Sequence, residues 1–313
     1  MLKIIGRRLL VSIPLLFFVT ALTFFLVSLT PGDPALVILG QNRPAADYAR
    51  VREQLGLNQP LPIRYGSWLA DLLTGNLGKS IFNQEPVISV LNARLGVTLS
   101  LVIGTTLVSA VLGVGLGLAG AVRRGVLAKI VDTLSLIGFA VPNFWLALIL
   151  VAIFSLALRW LPAIGYVDPA KSPTGWLQSL VLPVAVLSAP VIGLIAQQTR
   201  NAILEVLEKP FIRTLRAGGA SPASILFRHI LRSAAIPIVT VIGLTFVGLL
   251  SGTVIVETVF ALPGLGGLAV QATSRHDLPV IQGAVLYFTI IVIVVNLLVD
   301  LAYAWLNPKV RVS

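Results

Sequence analysis

The chain has 313 residues, of which 57% are hydrophobic and only 11% charged, against roughly 25% charged in soluble domains, and this excludes an ordinary water-soluble fold. Its net charge of +11 would point to nucleic acid in a soluble protein, but in a membrane protein it records topology, because cytoplasmic loops collect Lys and Arg. The absence of cysteine excludes disulfides and thiolate metal sites, and the two histidines, His229 and His276, lie too far apart in sequence to support a metal centre.

A membrane-spanning helix needs about 20 mostly apolar residues. The first such run is 9–29, preceded by Lys3, Arg7 and Arg8. It is longer than the apolar core of a signal peptide and no A-x-A cleavage site follows, so it reads as a retained helix. Segment 30–95 is too long for a connector and reads as a small ordered extracytoplasmic subdomain. Within it, Trp68, Leu69, Leu72 and Leu73 predict a short amphipathic helix. Gly78-Lys79-Ser80 is similar to the end of a phosphate-binding loop, but the required earlier glycine is replaced by Leu73, and a turn is the better reading.

Further spans are expected at 96–122, 132–158, 180–199, 236–256 and 280–306. The second carries GVGLGLAG, with Gly113 and Gly117 spaced for close helix packing. Polar residues inside spans are functional suspects. Asp300, with Asn296 one turn earlier and Tyr303 nearly one turn later, reads either as a tertiary hydrogen-bonding group or as part of a transport path. Glu257 closes the fifth span, as an interfacial carboxylate or as a path-lining one.

With the N-terminus inside, the inner segments hold 14 Lys/Arg against Glu205 and Glu208 alone, and the outer segments hold nine against eight acids. This bias places both termini in the cytoplasm. No H-E-x-x-H, no G-x-S-x-G and no pair of intramembrane carboxylates occurs. No catalytic residue, metal ligand or nucleotide site of its own is therefore assigned to the chain.

Between the fourth and fifth spans lies FIRTLRAGGASPASILFRHILRSAAIP, residues 211–237, with Arg213, Arg216, Arg228, His229 and Arg232 and no acid. The pattern predicts a helix over about 203–217, a bend at Gly218–Gly219 where a Cβ would obstruct, and a second helix over about 222–234. Ser221 would cap that helix, with Pro222 at its first position and Pro237 opening the next span. A plain positive loop would scatter its charges, and tethering between two spans leaves little freedom to enter a DNA groove. The segment is instead shaped to insert into a groove on another protein.

These residues resemble the loop by which permeases of bacterial ABC importers dock on their ATPase subunits, in the peptide, nickel and glutathione branch. Arg213, Thr214, Arg216, Ala217, Gly219, Ser221, His229, Leu231, Arg232, Ala234 and Pro237 match its pattern, whereas Leu215, Gly218 and Ser233 stand where Ala, Lys and Asn are usual. The resemblance extends over nearly the whole chain, through Pro31-Gly32-Asp33-Pro34, Gly75-Asn76-Leu77-Gly78, Val256-Glu257, Pro263-Gly264-Leu265-Gly266, Asp277 with Pro279, and Asn296, Asp300, Tyr303 and Asn307-Pro308.

The resemblance implies an all-α integral membrane protein with six transmembrane helices of the type I ABC-importer permease kind. Its parts would be 1–29, the extracytoplasmic subdomain 30–95, a five-helix core 96–306 that includes a coupling segment 203–235, and a cytoplasmic tail 307–313. The implied function is peptide import across the bacterial cytoplasmic membrane by alternating access. The implied partners are a second homologous permease forming a heterodimer, one or two ABC ATPase subunits carrying ATP and Mg, and an extracytoplasmic substrate-binding protein. Neither a nucleic-acid partner nor a cofactor on this chain is implied. The ATPase-coupling residues would be Arg213, Thr214, Leu215, Arg216, Ala217, Gly218, Gly219, Ser221, His229, Arg232 and Pro237; no residue is assigned to substrate. An ion-coupled secondary transporter would favour broken helices and midplane carboxylates, and an integral-membrane enzyme would need a catalytic constellation.

Overall fold

The computed structural model of the chain describes residues 2–29, 33–54, 56–122, 140–306 and the positions 133 and 138. Among them the chain is almost entirely helical, with a single isolated β-bridge between Lys79 and Pro86. The helices are α1 Leu2–Leu29, α2 Pro34–Leu39, α3 Ala45–Gln54, α4 Leu61–Leu73, α5 Val87–Val122, α6 Asn143–Ala157, α7 Pro173–Leu207, α8 Pro210–Ala217, α9 Pro222–Val259, α10 Leu265–Arg275 and α11 Leu278–Leu306.

Among the described residues, five helices are long and apolar enough to cross a membrane: α1 from Ile5, α5, α7, α9 and α11. They correspond to five of the expected spans. The sixth expectation, 132–158, begins largely outside the described residues; its described part is the shorter apolar α6, whose last turns Val151–Ala157 are π-helical. Several spans run past their expected ends. α7 starts at Pro173 because Ser172 caps it, accepting a 3.1 Å hydrogen bond from the Gly175 amide, and it continues to Leu207. An apolar count stops where the side chains turn polar, but the backbone ladder stops only where a cap or a breaker ends it.

The chain divides into two compact units. One comprises Leu2–Thr98 with Pro263–Ile293, the other Leu99–Leu262 with Val294–Ser313. In the first, Leu77, Val87, Leu91, Leu265, Leu268 and Ala284 form the core. Gly283 allows α11 to approach α5 closely, since a Cβ there would fall 2.7 Å from Val87 Cγ1. The expected amphipathic helix is α4, and it packs on α1 through Tyr65. That ring meets Phe17 and Phe24 edge-on at centroid distances of 5.6 and 5.5 Å, and its hydroxyl lies 2.9 Å from Thr20 Oγ1.

Gly78-Lys79-Ser80 is not itself the expected turn: Gly78 takes φ +80°, Lys79 bridges Pro86, and the turn follows at 81–83. The turn is fastened from within, because Asp277 accepts hydrogen bonds from the Ser80 hydroxyl and the Ile81 amide. Asp33 caps α2 by accepting from the Ala35 amide at 3.0 Å and also pairs with Arg52 of α3. The Arg52 guanidinium, more than the cap, holds the Asp33 carboxyl below the usual carboxylate range.

In the second unit α5 lies against α7. A Cβ on Gly117 would sit 2.5 Å from the Ala196 carbonyl oxygen, and one on Gly113 would sit 2.8 Å from Ile195. These glycines are therefore packing residues, as their spacing suggests. α9 meets α11 at a similar close point, where a Cβ on Gly243 would lie 2.5 Å from Val299 Cγ2, and Thr240 Oγ1 lies 2.6 Å from the Tyr303 hydroxyl.

Candidate functional site

The basic segment between α7 and α9 begins with a break that differs from the expected continuous helix 203–217. α7 ends at Leu207. Lys209 is extended, at φ −66° and ψ 140°, and Pro210 opens α8. A residue before proline is driven from the helical region by the proline ring, and proline is well placed at a helix's first position. Lys209 then bends back to pair with Glu205 at 3.3 Å.

α8 is two turns long and sharply two-sided. Ile212 is fully buried and Leu215 half-buried, and both pack with Ala202, Ile203, Val206, Ile225 and Ile230 in one apolar cluster. The opposite side exposes Phe211, Arg213, Thr214, Arg216 and Ala217.

The helix closes in a Schellman turn. The Ala220 amide donates to the Leu215 carbonyl and the Gly219 amide to the Arg216 carbonyl, each at 3.1 Å. Gly219 takes φ +78°, as the turn requires. The reason differs from the expected one, because a Cβ at Gly219 would meet nothing within 4 Å. The left-handed backbone, not obstruction, demands glycine there. Gly218, at φ −76° and ψ 5°, carries no such demand. Leu215 supplies the apolar contact that accompanies this turn, which explains a large residue at a position where Ala is usual.

Ser221 starts the next helix, accepting from the Ser224 amide at 3.3 Å with Pro222 at the first position. The expected second piece at 222–234 is not separate. It is the beginning of α9, which continues without interruption to Val259. Pro237 accordingly lies inside a helix and opens nothing. A proline inside a membrane helix is tolerated because neighbouring groups satisfy the freed backbone. Residues Ile225–Ile230, including Arg228 and His229, are π-helical.

Arg228 and Arg232 are exposed with Phe227, while His229 and Pro237 are half-buried. Among the described residues, no ion pair engages the guanidinium groups of Arg213, Arg216, Arg228 or Arg232. Free guanidinium groups next to exposed Phe211 and Phe227 combine the residue types that dominate protein interfaces, planar cationic donors and aromatic anchors. The inward anchors Ile212, Ile225 and Ile230 and the outward Phe211 and Phe227 were not singled out from the sequence. The first three were legible as an apolar spacing within a basic stretch.

The remaining polar suspects lie elsewhere. Glu257 is 1% exposed, near the far end of α9, so it is enclosed by the protein. Asn296 is exposed on α11 and Asp300 half-buried. They do not join the α8 surface.

Residues 87–312 match the family described as binding-protein-dependent transport system inner membrane component, and residues 1–102 match its N-terminal companion. The chain is 42% identical to a probable peptide ABC transporter permease protein of Sinorhizobium fredii, over 97% of this chain and 98% of that one. It is 39% identical to a di/tripeptide transport system permease protein of Pseudomonas aeruginosa and 40% identical to a glutathione transport system permease protein of Salmonella choleraesuis, each over 99% of both chains. Among solved structures, the inward-facing MetNI methionine ABC transporter matches with a TM-score of 0.55 and 19% identity, over 70% of this chain and 97% of that one. This last likeness concerns the fold.

Proposed function

The chain belongs to the binding-protein-dependent transport system inner membrane component family, and from that premise we propose that it is a permease subunit of an ATP-driven importer of peptides. It is a multi-pass protein of the inner membrane. The peptide cargo is carried over from relatives named for peptide, di/tripeptide and glutathione transport. The observation that carries the coupling role is the α8 surface: a short helix anchored by Ile212, closed by a glycine turn and presenting Arg213 and Arg216 outward.

In this reading, ATP and Mg bind on one or two partner ATPase subunits, and this chain performs no hydrolysis. Acidic groups of an ATPase would receive charge-assisted bonds from Arg213, Arg216 and Arg232, the strongest kind of surface hydrogen bond. Phe211 and Phe227 would fill its groove. Thr214, Ala217 and Gly218 form the exposed rim, and Gly219, Ser221, His229 and Pro237 shape the path into α9. Closure of the ATPases on nucleotide would shift α8 and bias the permease pair between outward-open and inward-open states. The second permease completes the path as a heterodimer. A binding protein delivers peptide on the opposite face, onto the subdomain 30–95, with both termini of this chain in the cytoplasm.

The test is reconstitution of the assembled transporter in proteoliposomes. Peptide uptake is expected to require ATP and the binding protein. Uptake driven by an ion gradient alone, with the ATPases removed, would overturn the proposal.

A further inference from the structure

α4 carries Arg64, Ser67, Trp68 and Asp71 at positions i, i+3, i+4 and i+7, which form one stripe along the helix. That stripe lines a cavity of about 330 Å³, to which Lys79 and the buried Gln282 also contribute. Its size lies at the lower end of small-molecule sites, roughly 300–1,000 Å³.

The polar groups around it are under-used. The Arg64 guanidinium lies 5.6 Å from the centroid of the Phe24 ring, and burial pulls its pKa below the ordinary guanidinium value. Among the described residues, Arg64, Lys79 and Asp71 make no ion pair with one another or with any other group. The Trp68 Nε1–H is buried without an acceptor. Two cations and an indole donor suit a carboxylate, which only accepts; the single carboxylate suits an ammonium. The seven positions from Arg64 to Asp71 rise about 10 Å along the helix, close to the length of an extended peptide of about three residues.

We propose that this cavity binds short zwitterionic peptides of about three residues, with Arg64 and Lys79 holding the terminal carboxylate and Asp71 the terminal ammonium. The choice of a peptide rests on the importer reading; the charge pattern and the volume do not. The site lies on the chain itself, so selection of cargo is shared between this chain and the binding protein.

The experiment titrates the full-length chain, in lipid nanodiscs and without partners, with trialanine by calorimetry. Saturable binding is expected, weakened at least tenfold when the peptide carries a C-terminal amide, and weakened comparably by N-acetylation. Arg64→Gln should reduce affinity for trialanine at least tenfold but leave affinity for its amide unchanged. Lys79→Gln, at an exposed position, gives the same contrast should the Arg64 variant lose thermal stability. No saturable heat, equal affinity for the acid and the amide, or equally tight binding of succinate would overturn the proposal. ATP-driven uptake by the assembled complex is measured separately. Binding without any ATP dependence of uptake would instead count against the importer reading and leave the site standing.

Discussion

Gly219 and Gly218 are neighbours with opposite requirements. Gly219 sits at φ +78° with open space around it, so a β-branched side chain is strained by the backbone alone, by roughly 1–2 kcal/mol. Gly219→Val is expected to raise the ATP hydrolysed per peptide taken up, whereas Gly218→Lys leaves that ratio unchanged; equal ratios in the two variants would remove the case for the bend. At Asp33 the pKa is depressed on folding, chiefly by Arg52. The pair's contribution is therefore present above the unfolded carboxylate value and lost as pH falls through the folded one. Protection of the α2 amides against hydrogen exchange should fall below about pH 4, and Asp33→Asn should abolish that pH dependence. Local chemistry made Ser221 and Pro222 legible as a cap, because both act on their own backbone. The burial of Glu257 was not legible, because it is decided by helices distant in sequence.

At the scale of elements, α8 separates an anchoring face from the face proposed to dock. Ile212→Ala removes a fully buried side chain and should cost about 2–5 kcal/mol of stability. Replacing Arg213 and Arg216 together with Glu should leave the melting temperature unchanged but eliminate stimulation of the partner ATPase by peptide. A loss of stability in the second variant, with stimulation retained, would show the charges to be structural. The α5–α7 contact follows the same logic. Gly117→Leu drives a side chain into the Ala196 carbonyl and is expected to lower the melting temperature, read by tryptophan fluorescence. The spacing of Gly113 and Gly117 announced this contact because close packing imposes a four-residue rhythm. The break at Lys209-Pro210 was also written in the sequence. It was overlooked because the apolar rhythm of α7 runs straight through it.

For the whole molecule, the cysteine-free sequence makes topology directly testable. Ala217→Cys in intact cells should resist a membrane-impermeant maleimide, and Lys171→Cys should react; the reverse pattern would invert the proposed orientation. Membrane character and five of the six expected spans were legible because hydropathy is a sum over about 20 residues. How those segments join was not, since proline ends a helix in water but is accommodated inside a membrane helix, as at Pro237. That continuity has a mechanical meaning. α9 has 38 residues and is about 57 Å long, nearly twice the hydrocarbon thickness of a bilayer. It is a long beam whose first turns carry the apolar cluster behind α8, with the π-helical Ile225–Ile230 and Pro237 near that end. In the proposed coupling, a push delivered at Ser221 would reach the neighbourhood of Glu257 as a tilt of that beam, a displacement set by leverage instead of by a relay of side chains.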